Sequence, residues 1–303
     1  MSWSEDALHR WLARTPRPRG LAGSRGHDAA VLDALPGRPV VCADQVVEGV
    51  HWDERASPRA VGRKAACRAL SDLAATAALP RALTCTVAAP RAKDERWLRG
   101  VLAGVRAAAR EHGADLVGGD LSSTRGPTVV SVTALGVFTG SGAPPGRARA
   151  RVGQAVVLTG AVGGSLLGRH LAIQPRLAEG RALARAGATA LMDVSDGLAW
   201  DSFRLARAAG VAIELELARV PVHADARRRA RLTGRAPLDH ALHDGEDHEL
   251  LATLPPAAAE RAARSLGARV VGRVVRGEGL VLVWADGRRE RWTHARGGYE
   301  HGA

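Results

Sequence analysis

The sequence is poor in cysteine, aromatic residues and lysine, and it has no long apolar run. Its 303 residues hold three cysteines, Cys42, Cys67 and Cys85. The number is odd, no CxxC occurs and each lies in an apolar context. That excludes a disulfide framework and a thiolate zinc site and leaves three small core residues. Aromatic residues make up 3% of the chain, too few for the stacking platforms of single-strand nucleic-acid binders. No stretch approaches the roughly 20 apolar residues of a membrane span. The opening MSWSEDALHRWLARTPRPRG is amphipathic and lacks the apolar core of a secretory signal. These absences describe a soluble, cytoplasmic chain with no membrane partner.

Of 43 basic residues only Lys64 and Lys93 are lysine, and the formal net charge is +12. The arginines are scattered through Ala-rich helical stretches such as Arg181–Arg185 and Ala226–Arg231. That pattern is one of solvated helix faces rather than a nucleic-acid footprint, and no nucleic-acid partner is expected. What the chain does have is apolar residues, 46% of the total, enough for two ordinary domains with real cores.

Strands and helices mix without strict alternation, and several strands come in adjacent pairs. This predicts an α+β fold of two domains, with helices on one face of a mostly antiparallel sheet. The Gly-, Pro- and Arg-rich loop Thr139–Arg151 marks the boundary, giving domains 1–146 and 147–303. Val40–Cys42 reads as a short buried strand with Asp44 at its tip and Glu48 and His51 in the turn beyond. Ser57-Pro58 is a helix start. Asp72 lies inside that helix, and a strand over Ala114–Val117 runs into Gly118-Gly119-Asp120. A helix is expected over Leu166–Ala172. Asp193-Val194-Ser195-Asp196-Gly197 passes from strand to helix with Asp196 as N-cap, and Gly245-Glu246 precedes a late strand.

Acids therefore recur at element ends: Asp28, Asp44, Asp120, Asp193 and Asp196, with Asp72 in a helix and Glu246 in a turn. Carboxylates without basic partners nearby in sequence converge only around hard cations, and Mg²⁺ combines carboxylate with phosphate oxygens. The pattern suggests a multi-Mg²⁺ nucleotide site for phosphoryl transfer. No GxxxxGK[ST] occurs, and Gly140, Gly142 and Gly146 have the wrong spacing for a dinucleotide fingerprint. His243 and His248 make a poor zinc pair, and neither Ser71 nor Ser195 sits in a nucleophile elbow.

In this order EGVHW, SDLAA, VGGD, DVSDGL and GEDHELL resemble thiamine-monophosphate kinase, of the superfamily of aminoimidazole ribonucleotide synthetase and selenophosphate synthetase. The resemblance runs from about Leu8 to Tyr299. It implies an N-terminal domain that binds ATP and Mg²⁺ and pairs its sheet in a homodimer, and a C-terminal α+β domain of the aminoimidazole ribonucleotide synthetase type. It implies ATP-dependent phosphorylation of thiamine monophosphate to the diphosphate, with no covalent enzyme residue. Several Mg²⁺ ions would be held by Asp28, Asp44, Asp72, Asp120, Asp193 and Asp196. Gly119, Asp120, Arg147 and Ser195 would contact ATP, and His51, Glu246 and Tyr299 the thiamine substrate. The chain departs from the family pattern at four places. His27 stands for an acid, Cys42 and Ala43 stand for a hydroxyl pair, His248 stands for a tyrosine, and Val152-Gly153-Gln154 replaces PGD. An enzyme of the same fold with a different substrate and a non-catalytic nucleotide-binding homologue are the alternatives.

Overall fold

Ser57 and Pro58 open the longest described helix, and Ser57 Oγ accepts the Ala60 N–H at 3.3 Å, as their capping chemistry predicts. The computed structural model describes residues 3–22 and 29–293; Asp28 and Tyr299 lie outside them. The chain divides into two units. One comprises the described residues up to Leu73 with Ala78–Thr139 and Leu171–Ile173. The other comprises Ala74–Ala77, Gly140–His170 and the chain from Gln174 onward.

The first unit carries helices α1 (Glu5–Ala13), α2 (Pro58–Ala75) and α3 (Glu95–Glu111) and strands β1 (Arg38–Val47), β2 (Leu79–Pro90), β3 (Asp115–Thr124) and β4 (Val129–Phe138). The sheet order is β1-β4-β2-β3, antiparallel except for the β2–β3 pair. Period-2 alternation sorts its faces. Val46, Leu83, Val130, Val132 and Ala134 are buried, whereas Val41, Ala43 and Gln45 are exposed, Val41 by 69%. The helices cover the buried face. Cys42 Sγ, on that face, lies 3.1 Å from the Ala69 carbonyl of α2. α2 and α3 meet backbone to backbone at two glycines. A Cβ on Gly62 would sit 2.0 Å from the Val101 carbonyl oxygen, and one on Gly104 would sit 2.2 Å from that of Arg59.

Two expectations change here. Asp44 is not at a strand tip, since β1 runs on to Val47. The strand is longer because its second face is open, so polar residues alternate along it without cost. The strand expected over Ala114–Val117 likewise runs on, as β3, through Gly118, Gly119 and Asp120 to Thr124.

The second unit is a seven-stranded sheet of order β11-β10-β7-β9-β5-β8-β6, antiparallel except for β10–β7. The strands are β5 (Ala155–Leu158), β6 (Ala190–Val194), β7 (Ala212–Glu216), β8 (Glu249–Leu254), β9 (Arg269–Val275), β10 (Gly279–Val283) and β11 (Arg289–Arg291). Its helices are α4 (Leu177–Arg185), α5 (Leu198–Ala209), α6 (Ala224–Thr233), α7 (Pro237–His243) and α8 (Pro256–Leu266). α5 is anchored by aromatic packing: the rings of Trp200, Phe203 and Trp292 lie 5.5–5.7 Å apart. The helix expected over Leu166–Ala172 is two 3-10 turns, Ser165–Leu167 and Arg169–Leu171. Gly164 and Gly168, at φ 73° and 127°, break the helical path. No helix among the described residues is long and apolar enough to cross a membrane.

Candidate active site

In the first unit the turn that leaves β1 is tightly tied. The His51 N–H donates to the Val47 carbonyl at 2.9 Å, and His51 Nδ1 accepts the Val47 N–H at 3.1 Å. Glu48 accepts from Lys93 Nζ at 2.7 Å and from the Thr128 N–H at 3.0 Å. Burial alone would raise the Glu48 pKa, but these hydrogen bonds and the ammonium charge outweigh it and hold the carboxyl below its usual range. Trp52 stacks on Trp97 at 5.4 Å and is 5% exposed, so it is a packed residue.

Asp44 projects from β1 toward α2, where Arg68 Nη2 meets it at 3.3 Å. Asp72 is half-buried in α2. On β3, a Cβ at Gly119 would fall 1.9 Å from the Cys85 carbonyl oxygen, so only glycine fits. Asp120 pairs with Thr86 of β2, and both are exposed. Asp44 belongs to the sheet row of Val132, Cys85 and Gly119; Asp120 belongs to the next row, with Thr86, Ser131 and Gln45. Successive rows face opposite sides of a sheet, so the two side chains leave it on opposite faces. A cavity of about 700 Å³ borders Gly118, Gly119 and Asp120, with Leu21, Leu102 and Arg106 also in its wall.

In the second unit the strand-to-helix passage and the turn before β8 interlock. The Glu246 N–H donates to the Ser195 carbonyl at 2.7 Å and the His248 N–H to that of Val194 at 2.8 Å. Glu246 and His248 both take positive φ, 57° and 52°, a strained backbone that these contacts hold in place. His248, 2% exposed, lies between two carboxylates: Nδ1 is 3.1 Å from Asp193 Oδ2 and Nε2 is 3.4 Å from Glu246 Oε2. Burial works against its charge, but the two acids dominate and push its pKa up to about 9. An ionised carboxylate only accepts, so with both acids ionised each ring nitrogen donates and His248 is an imidazolium.

Asp196 is not the N-cap of α5. Gly197, at φ 111°, holds that position, and Asp196 pairs with Arg204 instead. The passage is fixed from within the helix. Asp201 Oδ2 accepts the N–H groups of Ser195 and Asp196, each at 3.0 Å. Burial and then the Asp196 charge push Asp201 up to about 8. Arg147 opens a short 3-10 turn, Arg147–Arg149, and is exposed.

Among the described residues no three His, Cys, Asp or Glu side chains gather to hold a metal by themselves. The acids that lack basic partners nearby in sequence meet them in the fold: Asp44 has Arg68, Asp196 has Arg204 and Asp193 has His248. Arg68 comes from α2, Arg204 from α5 and His248 from the turn before β8. Asp201, Arg204, Lys64 and Lys93 were not among the expected site residues. The lysines carried a signal, being the only two in the chain.

The sequence matches the AIR synthase related protein family, its N-terminal domain over residues 26–138 and its C-terminal domain over residues 150–285. A thiamine-monophosphate kinase of Rhodopirellula baltica is 38% identical over 92% of this chain and 91% of its own length. A solved structure described as AaThiL complexed with AMPPCP and TMP superposes with a TM-score of 0.78. It is 27% identical and covers 98% of this chain and 95% of that one. The thiamine-monophosphate kinase of Stenotrophomonas maltophilia gives a TM-score of 0.76 at 31% identity, over 95% and 98% of the two chains. The chain belongs to the AIR synthase related proteins and, among them, to the thiamine-monophosphate kinases.

Proposed function

We propose that the chain phosphorylates thiamine monophosphate to thiamine diphosphate with ATP as the donor. The observation that carries this is likeness to thiamine-monophosphate kinases along nearly the whole chain, through both units. An oxygen of the substrate's phosphate attacks the γ-phosphorus of ATP. The bond from that phosphorus to the bridging oxygen breaks, and ADP leaves with the electron pair. No enzyme side chain becomes phosphorylated, so the protein's work is positioning and charge neutralisation.

Each unit offers its own set of groups. In the first, Gly119 and Asp120 contact ATP from the wall of the cavity, which suits the apolar part of a nucleotide. His51 meets the thiamine substrate. In the second, Ser195 and Arg147 contact ATP and Glu246 contacts the thiamine substrate. Asp28 and Tyr299 complete the metal and substrate sets. The donors fit Mg²⁺: Asp44, Asp72, Asp120, Asp193 and Asp196 supply only hard oxygens. Their failure to close a cage alone suits an ion that keeps waters and takes phosphate oxygens. When bound, Mg²⁺ supplies neutralisation of the charge on the transferring phosphoryl group.

We assign residues 1–146 to ATP and Mg²⁺ binding and to dimerisation, and 147–303 to the C-terminal domain. The uncovered sheet face with Val41, Ala43 and Gln45 supports pairing of two N-terminal sheets in a homodimer. The place of action is the cytoplasm. The test is thiamine diphosphate formation from ATP, Mg²⁺ and thiamine monophosphate by wild type, Asp44→Asn and Asp120→Asn. Wild type should turn over, and each variant should lose about 10²–10³-fold in kcat. ATP binding with no transfer by wild type would overturn the reading.

A further inference from the structure

A buried carboxylate on α5 shapes the loop that follows β6. Asp201 is 0% exposed, on a helix whose Leu198, Ala199, Leu205 and Ala206 belong to the core of the second unit. A carboxylate in such a place costs free energy unless hydrogen bonds offset it. Its Oδ2 accepts the N–H groups of Ser195 and Asp196, each at 3.0 Å, and its Oδ1 lies 3.7 Å from Arg204 Nη1. The turn before β8 holds the other side of the loop, where the Glu246 N–H donates to the Ser195 carbonyl at 2.7 Å. A Cβ on Gly245 would stand 2.6 Å from that carbonyl oxygen, so the approach needs glycine. The backbone of Ser195 is thus gripped at both ends, its N–H by Asp201 and its carbonyl by Glu246. An ordinary helix entry would use the Asp196 carboxylate to satisfy nearby N–H groups. Here the N-cap is Gly197, which has no side chain to give, and Asp196 pairs with Arg204.

We propose that Asp201 is a positioning residue for the nucleotide: by taking the loop N–H groups it fixes the Ser195–Asp196 backbone, so that the Ser195 hydroxyl meets ATP and the Asp196 carboxylate meets its Mg²⁺. This deepens the kinase reading above and rests on it. Asp201 acts through Ser195 and Asp196 and touches neither ATP nor metal itself. Ser195 and Asp196 are half-buried, and N–H groups at a helix entry are commonly left to water or to a cap. A carboxylate reaching back from inside the helix instead fixes two successive peptide planes. A hydroxyl and a ligand one residue apart need that rigidity if both are to meet one nucleotide.

The test uses the full chain with Asp201→Ala, Asp201→Leu and Asp201→Asn. It reads binding of the fluorescent analogue MANT-ATP with Mg²⁺, without thiamine monophosphate. Asparagine keeps a carbonyl oxygen for the two N–H groups and should hold the affinity within about threefold of wild type. Alanine and leucine accept nothing and should weaken it about tenfold, with a matching rise in KM for ATP and KM for thiamine monophosphate within about threefold. Ser202→Ala, at the next buried position, should leave MANT-ATP affinity unchanged. Unchanged affinity in folded Asp201→Ala would overturn the proposal, because the carboxylate then serves the fold alone. A loss in Asp201→Asn equal to that in Asp201→Ala would also overturn it, because the acceptor is then not what matters. If Asp201→Ala does not fold, Asp201→Leu decides, since leucine leaves no void and favours a helix. Binding needs no turnover. A wild type that makes no thiamine diphosphate, yet loses MANT-ATP affinity on Asp201→Ala, overturns the kinase reading and leaves the positioning role standing.

Discussion

Two turns of this chain each carry a glutamate and a histidine, and they are held in opposite ways. In the turn after β1 the braces are cations. Lys93 holds Glu48 and Lys64 holds the His51 carbonyl, while the His51 ring accepts a backbone N–H. In the turn before β8 the braces are anions. Asp193 and Glu246 flank His248 and draw its pKa up to about 9. The same residue type thus becomes a neutral donor at Nε2 in one turn and a buried cation in the other. Neither state follows from histidine itself; both follow from the neighbours that fold places around it.

The largest effect should come from breaking the second turn. His248→Gln removes a buried cation and leaves Asp193 and Glu246 opposed, at a cost of about 3–5 kcal/mol. Urea unfolding followed through the second unit should show it. A loss under 1 kcal/mol would mean that the ring is neutral and the two turns are alike. Next is Gly119→Ala, a control held by a strand rather than by charge. Its Cβ would strike the Cys85 carbonyl, and overpacking of this kind costs about 1–3 kcal/mol. That loss should be independent of salt.

Third, His51→Gln sharpens the contrast. It removes the neutral hydrogen bond that Nδ1 accepts from the Val47 N–H, a loss of about 1 kcal/mol. KM for thiamine monophosphate should rise about tenfold while KM for ATP holds, as steady-state kinetics would show. The smallest effect is in the pH dependence. The Glu48 pKa is lowered from its ordinary 4.5 in the folded protein. Its contribution is therefore present above pH 4.5 and lost as pH falls through the folded value. The pair is partly exposed, so the loss is about 1 kcal/mol or less. Lys93→Met should reduce this acid-side slope in thermal melts, the Thr128 hydrogen bonds keeping the remainder, and an unchanged slope would remove Lys93 from the brace.

The motifs and most element positions were legible in the sequence because they rest on local chemistry. Ser57-Pro58 starts its helix, and Asp72 lies inside that helix as its pattern predicts. Misjudged elements failed where tertiary context decides. Asp44 sits mid-strand because one face of its sheet is uncovered, so its polar neighbours do not end the strand. The strand expected to end at Val117 continues through Gly118 and Gly119, although glycine is a weak strand former, because close approach to β2 demands glycine at Gly119. Asp196 has the chemistry of an N-cap, but Gly197 takes the position and Asp201 reaches back from the helix to satisfy the loop N–H groups. The candidate site was legible as a set of acids. Its partners were not, because Arg68, Arg204, Lys64 and Lys93 come from turns and helices distant in sequence or from the far side of a helical turn.

The most direct test of direct transfer is phosphorus NMR of wild-type protein with ATP, Mg²⁺ and thiamine monophosphate. The account predicts that the γ-phosphate signal of ATP declines in step with growth of the thiamine diphosphate signals. ADP should appear in equal amount, with no protein-bound phosphorus resonance. Release of inorganic phosphate with no thiamine diphosphate, or a phosphorylated protein, would contradict it.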